Sequence, residues 1–329
     1  MRLLCSKGKN TIRTALGIAL AASVSAPVFA ADYPNKPIQM IVSFGAGGST
    51  DTMARIFAKY AEEAIGERIV VVNRPGAGGE LGWVHLANAE PDGYTIGLIN
   101  SPAVEVYPIT RAESVGYSLD SIRPLANVVT DPGVLAVAAD SPYQNLDDLV
   151  AASREEPGSV TVSHEGVGGD DHLAALDFAE AAGIKLNFVS FSGNAEATAA
   201  LLGGHIDAFE GNMSEAANQI NEGKVRGLAV WSDKRMDPIP NVPTGEEQDY
   251  NVSSAASRGL AVPEGVPEEI YQQLLEASRE VIENPEFQAE MDKLNMPLDA
   301  LYGQEYAEFL DASYKTLKVM WDNEPWIEQ

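Results

Sequence analysis

Three copies of one short pattern, Gly-x-Gly-Gly, constrain what this chain can become more than any other feature. They stand at Gly45-Ala46-Gly47-Gly48, Gly76-Ala77-Gly78-Gly79 and Gly166-Val167-Gly168-Gly169. A run suited to a strand precedes each copy, and a segment of helical character follows it. A glycine turn between a strand's carboxyl end and a helix's amino end presents backbone N–H groups at the positive pole of the helix, which suits an anion. The pattern implies strand–helix alternation around a mostly parallel sheet, with ligands expected at the carboxyl ends of its strands. It leaves open whether the anion is a phosphate in an enzyme or a carboxylate in a receptor.

The alternation continues along the chain. Strands are predicted over 38–42, 69–72, 95–99, 135–138, 160–163, 186–191, 206–209 and 225–231. Helices follow the three glycine turns and are also predicted over 146–154, 196–202, 215–222, 268–283 and 306–321. In the first helix Met53, Ile56, Phe57, Tyr60, Ala61 and Ala64 form a single apolar stripe. Residues 236–247 are rich in proline and read as an extended surface loop. No linker separates the halves, which favours two lobes joined by crossing strands over two independent domains. Copies one and three of the pattern fall in different lobes, so their helix N-termini are expected to face each other across a cleft.

Residues 1–30 read as a secretory leader. Arg2, Lys7, Lys9 and Arg13 come first, no acid precedes Asp32, the stretch 15–24 is apolar or small, and Val28-Phe29-Ala30 precede the expected cut. Cys5, the single cysteine, lies inside the leader, so the mature chain must fold on its apolar core without disulfides. The whole chain has 22 Lys and Arg against 48 Asp and Glu, a net charge of −26 that loss of the leader makes more negative. Such a surface repels nucleic acid and anionic lipid at long range. An anionic ligand would have to be held by local dipoles against that field.

Nucleotide motifs fail on inspection. No lysine follows the first glycine turn, as a Walker loop requires, and Thr50 stands where the dinucleotide fingerprint needs its last glycine. In "HEGVGGDDH" the residues His164, Glu165, Asp170, Asp171 and His172 spell neither a zinc helix nor a calcium loop. Asp170 and Asp171 sit where helix caps and first-turn acids belong, and the alternative is contact with a ligand hydroxyl or ammonium. His205 reads as a turn residue and His85 as a surface or packing residue. No G-x-S-x-G motif occurs, and the adjacency of Ser163 and His164 says nothing about geometry. No catalytic, metal or cofactor constellation emerges.

Several collinear stretches carry a resemblance. "YPNKPIQMIVSFGAGGSTDTMAR" (33–55), "VVVNRPGAGGELGW" (70–83), "PDGYTIG" (91–97), "LLGGHIDAFEGN" (201–212), "GKVRGLAVWSDKR" (223–235) and "PNVPT" (240–244) resemble the solute receptors of tripartite tricarboxylate transporters, also called Bug proteins. The match runs through essentially the whole mature chain. It implies an α/β, two-lobed periplasmic binding protein fold of type II-like design. Residues 31–132 with 254–329 would form lobe 1, and residues 133–253 lobe 2. It further implies a non-enzymatic, monomeric, cofactor-free and metal-free periplasmic receptor. Such a receptor delivers a small organic carboxylate to membrane permease subunits and has no nucleic-acid partner. Carried over residue by residue, the ligand site would comprise Phe44, Gly45, Ala46, Gly47, Gly48, Ser49 and Asp51 of the first loop, with Asn100 and Ser101 at a strand end. From the other lobe it would take Gly166, Val167, Gly168, Gly169, Asp170, Asp171 and His172, then Ser192, Gly193 and Asn212. Two departures stand out: Gly45 replaces the family's usual proline, and Asp170 and Asp171 add charge that disfavours a second close carboxylate. An amino-acid receptor, with Asp170, Asp171 or Glu215 taking an ammonium, and a secreted hydrolase or lyase on the same fold are the alternatives.

Overall fold

The computed structural model describes residues 33–323 and residue 325. The leader expected over 1–30 lies outside the described residues. Lobe 1 begins with β1 (Ile38–Val42), an almost wholly buried apolar strand. The first glycine turn feeds α1 (Ser49–Ile65), whose Met53, Ala54, Phe57, Tyr60 and Ala61 pack into the core. Left-handed Gly66 ends the helix, a conformation that favours glycine. β2 (Ile69–Asn73), α2 (Glu80–Ala87), β3 (Thr95–Ser101) and α3 (Ala103–Thr110) follow. β2 and β3 flank β1 in parallel, with Ile38 opposite Ile69 and Gln39 opposite Thr95.

The chain then enters β4 (Ile122–Ala138), a strand of 17 residues that serves both lobes. Lobe 2 continues with α4 (Leu146–Glu155), β5 (Thr161–His164), α5 (Asp170–Ala182), β6 (Asn187–Ser190), α6 (Asn194–Leu202), β7 (Ala208–Asn212), α7 (Met213–Asn221) and β8 (Val225–Val230). The return strand β9 (Ala255–Pro263) leads back to lobe 1, which α8 (Glu268–Glu283), α9 (Pro285–Lys293), β10 (Leu298–Tyr302) and α10 (Gln304–Asn323) complete.

The strands make one curled ten-stranded sheet in the order β2-β1-β3-β9-β4-β7-β5-β6, with β8 and β10 also paired to β4. The β1 and β5 neighbourhoods are parallel, while every pairing of β4 and β9 is antiparallel. β4 pairs with β9 from Ile122 to Pro132 and with β7 from Gly133 onward, so one strand passes from the first half of the sheet to the second. The apolar cores divide accordingly. One pair is built from residues such as Phe57, Leu98, Val128 and Phe287, or Trp83, Val106 and Tyr306. The other pair is built around Phe178 and Trp231, or Phe209 and Val242.

Most predicted elements stand within a few residues of their expected bounds, but the strand expected over 135–138 begins at Ile122, and α3, α9, β9 and β10 are not among the predicted elements. β9 reads "AASRGLAVP", whose arginine, glycine and small residues hide a strand buried over almost its whole length. α3 carries Pro108. β10 alternates poorly and pairs with β4 across a register shift. In β9 and α3 tertiary burial outweighs local pattern, whereas β10, with no buried residue, is defined by its pairing with β4.

Candidate functional site

All three glycine turns lie around the junction of the lobes, in an arrangement more compact than two opposed helix ends. The first turn faces the turn between β6 and α6. A Cβ at Gly45 would lie 3.6 Å from the Ser192 carbonyl oxygen, and one at Gly193 would lie 4.0 Å from the Gly45 nitrogen. The third turn meets the second rather than the first. A Cβ at Gly166 would fall 2.7 Å from the Gly78 Cα, so the two backbones meet where a side chain has no room. The Tyr107 hydroxyl donates to the Gly78 carbonyl at 2.9 Å and steadies this contact.

Behind these turns is a narrow cavity whose walls include Phe44, Thr50, Asn100, Tyr107, Glu165, Gly166, Gly169, Asp170, Asp171, Asn212 and Arg258. It offers about 10 Å³ of water-accessible space, which is about one water. No organic acid fits until the lobes part. A wider groove of about 260 Å³ runs beside it, past Gly47, Gly48 and Ser49 on one bank and Asn194, Thr198 and Glu215 on the other.

The expected site residues separate into those facing these spaces and those bracing them. In the first loop Phe44 lines the cavity and packs edge-on against Trp83, and Ala46 and Gly47 are exposed. Gly48 is the N-cap of α1 and gives no side-chain cap. Ser49 Oγ crosses the lobe boundary to donate to Glu215 Oε1 at 2.6 Å. Asp51 braces its own loop. It accepts from Gly47 N, from Asn73 Nδ2 and twice from Arg55, and these bonds hold its carboxyl below the usual range although burial alone would raise it. At the end of β3, Asn100 Nδ2 donates to Thr50 Oγ1 at 3.0 Å and Asn100 Oδ1 is unpartnered. Ser101 instead donates to buried Glu105 at 2.7 Å.

In lobe 2, Val167 is 42% exposed, and Gly168 (φ 86°) leaves no room for a side chain, since a Cβ would lie 2.3 Å from Val106 Cγ1. Gly169 is the N-cap of α5, again without a side-chain cap. Asp170 accepts from Asn212 Nδ2 at 2.7 Å, while Asp171 closes the glycine turn by accepting from Glu165 N and its neighbour His172 N. His172 Nδ1 accepts from Gly168 N. Burial, then His164, pushes its imidazole down to about 4, so it is neutral. Ser192 donates to Glu196 at an exposed turn.

The sequence reading did not single out Arg258 or Asp131. Arg258 comes from β9, is 2% exposed, and reaches Asp131 Oδ2 at 2.8 Å and Asn212 Oδ1 at 2.5 Å. Asp131, on β4, also accepts from Ser214 N and Oγ. Burial would lower the Arg258 pKa, but Asp131, Glu215 and Asp170 raise it above the ordinary value, so it stays charged. Burial raises Glu165, Asp170, Asp171 and Glu215, and in each case a neighbouring acid adds to the effect. The only hint in the sequence was an arginine inside an otherwise small and apolar run.

Glycine turns gathered at the lobe junction and a buried arginine beside them suit recognition of a small molecule. Comparison with known proteins decides the rest. The model of the "Tripartite tricarboxylate transporter family receptor", TctC, matches residues 53–323. This chain belongs to the TctC family. Protein BugT of Bordetella pertussis is 37% identical to this TctC receptor over 237 residues, 71% of the chain and 73% of BugT. The structure of the periplasmic binding protein BugD aligns with a TM-score of 0.83 at 28% identity, covering 88% of this chain and 98% of that one. MatC of Rhodopseudomonas palustris, seen with bound malate, shares the fold with a TM-score of 0.80 at 24% identity, covering 87% and 99%. TctC proteins are periplasmic solute-binding receptors, not enzymes, and this chain is one of them. Among the described residues no helix is long and apolar enough to cross a membrane.

Proposed function

We propose that this receptor captures a small organic carboxylate in the cleft between residues 31–132 with 254–329 and residues 133–253. It then delivers that solute to the membrane permease subunits of a tripartite tricarboxylate-type transporter. The observation that carries the reading is Arg258. It is a charged guanidinium on the return strand β9, facing the cavity, with its Nε–H unpartnered. Beside it, α1 begins at a glycine that gives no side-chain cap, so its N-terminal dipole is available to an anion, while the first turn of α5 is met in part by Asp171, which accepts from His172 N. The family points to carboxylates as a class, and in MatC the same fold holds malate.

A thermal-shift panel of mono-, di- and tricarboxylates and amino acids on the purified mature protein tests the capture step. At least one carboxylate-bearing compound is expected to stabilise the protein and to be recovered chemically unchanged. A panel in which no carboxylate of any kind binds would sink the proposal. Delivery is tested in cells lacking this gene, which should lose uptake of that compound while the permease subunits remain in place.

A further inference from the structure

A carboxylate alone leaves the charge of the cavity unexplained. Its wall holds Glu165, Asp170 and Asp171, and Glu215 stands close by, accepting from Asn194 Nδ2 and Asn212 N. The one cation in that wall, Arg258, already pairs with Asp131 at 2.8 Å and stands 4.0 Å from Glu215. Two of these acids are fully engaged: Asp171 accepts from Glu165 N and His172 N, and Glu215 accepts from Ser49, Asn194 and Asn212. Glu165 and Asp170 have each met one partner from a neighbouring segment, Asn194 N and Asn212 Nδ2 respectively. Among the described residues, no group of acids and histidines is placed to hold a metal ion.

A second observation is independent of the acids. Two buried polar groups of the same wall lack partners: the Nε–H of Arg258, in a side chain 2% exposed, and Oδ1 of Asn100, 8% exposed. One is a donor and the other an acceptor. Buried groups of this kind are rarely left unmatched in native proteins. Asn100 and Arg258 are directly opposite across the β3–β9 pairing, so the wall asks for a molecule whose acceptor and donors stand close together.

Resting on the reading that this cleft takes a carboxylate, we infer that its solute also carries a protonated amine. The ammonium sits against Glu165, Asp170 and Asn100, and the carboxylate lies toward Arg258 and the glycine turns. An ammonium has three donors, enough for those three acceptors. An ammonium offsets one carboxylate, so an amine-bearing acid brings one negative charge fewer to a desolvated, anion-rich wall than its amine-free twin, where water does little screening. The protonation state of Glu165 separates the two cases. Burial, then Glu215 and Asp170, push it up to about 8, against the lowering effect of Asn194 N and Arg258, and Asp171 also faces it. An entering ammonium expels that proton, while a second carboxylate retains it.

The test is calorimetry at pH 7 on matched pairs, aspartate with succinate and glutamate with glutarate, in two buffers of different ionisation enthalpy. At least one amine-bearing member is expected to bind tenfold or more tighter than its twin, with net proton release. Glu165→Gln should cut that ratio at least tenfold and abolish the release. Asp170→Asn should narrow the ratio in the same direction and serves if Glu165→Gln fails to fold. Equal or tighter binding of the amine-free twins, or no binding by either amine-bearing compound, overturns the inference. In the first of those outcomes the carboxylate receptor stands, whereas failure of every carboxylate in the wider panel removes both readings.

Discussion

Arg258 keeps its charge in a site where water is scarce because Asp131 lies 2.8 Å away and two further acids lean on it. Such a pair adds little net stability over apolar residues of similar shape, but half of it is costly. Asp131→Ala is therefore expected to destabilise the protein by about 3–5 kcal/mol, read as a lower denaturant midpoint at unchanged slope. A midpoint close to wild type would mean that Arg258 finds another acid. Glu105 is a different case, a carboxyl 0% exposed that accepts from Ser101 and is pushed up to about 7 by burial. A raised carboxyl stabilises the fold fully below its unfolded pKa, about 4.5, and the contribution is lost as pH rises through about 7. Between pH 5 and 8 the wild type should lose up to about 3 kcal/mol relative to Glu105→Gln. Parallel pH profiles for the two proteins would refute the assignment. Legibility at this scale depended on chain distance. Phe44, Asn100 and the glycines stand at strand ends that periodicity marks, whereas Arg258 meets Asp131 only through pairing across more than a hundred residues, which no local spacing encodes.

At the scale of elements, the glycine turns do two jobs that their common sequence does not distinguish. Gly168, at φ 86°, shapes its own turn, whereas Gly166 carries no such strain and is small because Gly78 approaches from the facing turn. Gly166→Ala should therefore leave the melting temperature of the unliganded protein nearly unchanged. It should weaken binding of whichever solute the panel identifies by at least tenfold, about 1.4 kcal/mol, because the turns can no longer close. Equal affinity in a folded Gly166→Ala protein would show that the contact is incidental to closure. The pattern announced the turns correctly, but it suggested that copies one and three face each other. In fact copy three meets copy two, and copy one meets the β6–α6 turn, a pairing set by sheet curl. Elements with clean periodicity, such as α8 and β1, were legible to the residue. β9 and β10 were not: the burial of β9 comes from its neighbours and from nothing in its own composition, and β10, half-buried to exposed, is defined only by its pairing with β4.

On the scale of the whole molecule, a cavity with room for about one water behind two touching turns describes a closed cleft, so the lobes must part to admit a solute. β4 and β9 are the segments on which that motion turns. Small-angle scattering with and without saturating solute should show a change in radius of gyration, and identical profiles would indicate a rigid cleft. The shared strand also governs the order in which the molecule can assemble. The chain leaves the first lobe along β4 and returns only at Ala255, so residues 133–253 are complete before the strand that joins β3 to β4 exists. A chain growing from its amino end thus holds a finished second lobe while β3 and β4 each expose an unpaired edge. Stopping synthesis at residue 253 should leave the α5 and β7 amides protected from hydrogen exchange and those of β3 open. Vectorial growth delays the solute-binding cleft until the return strand is made, and that strand brings Arg258 with it.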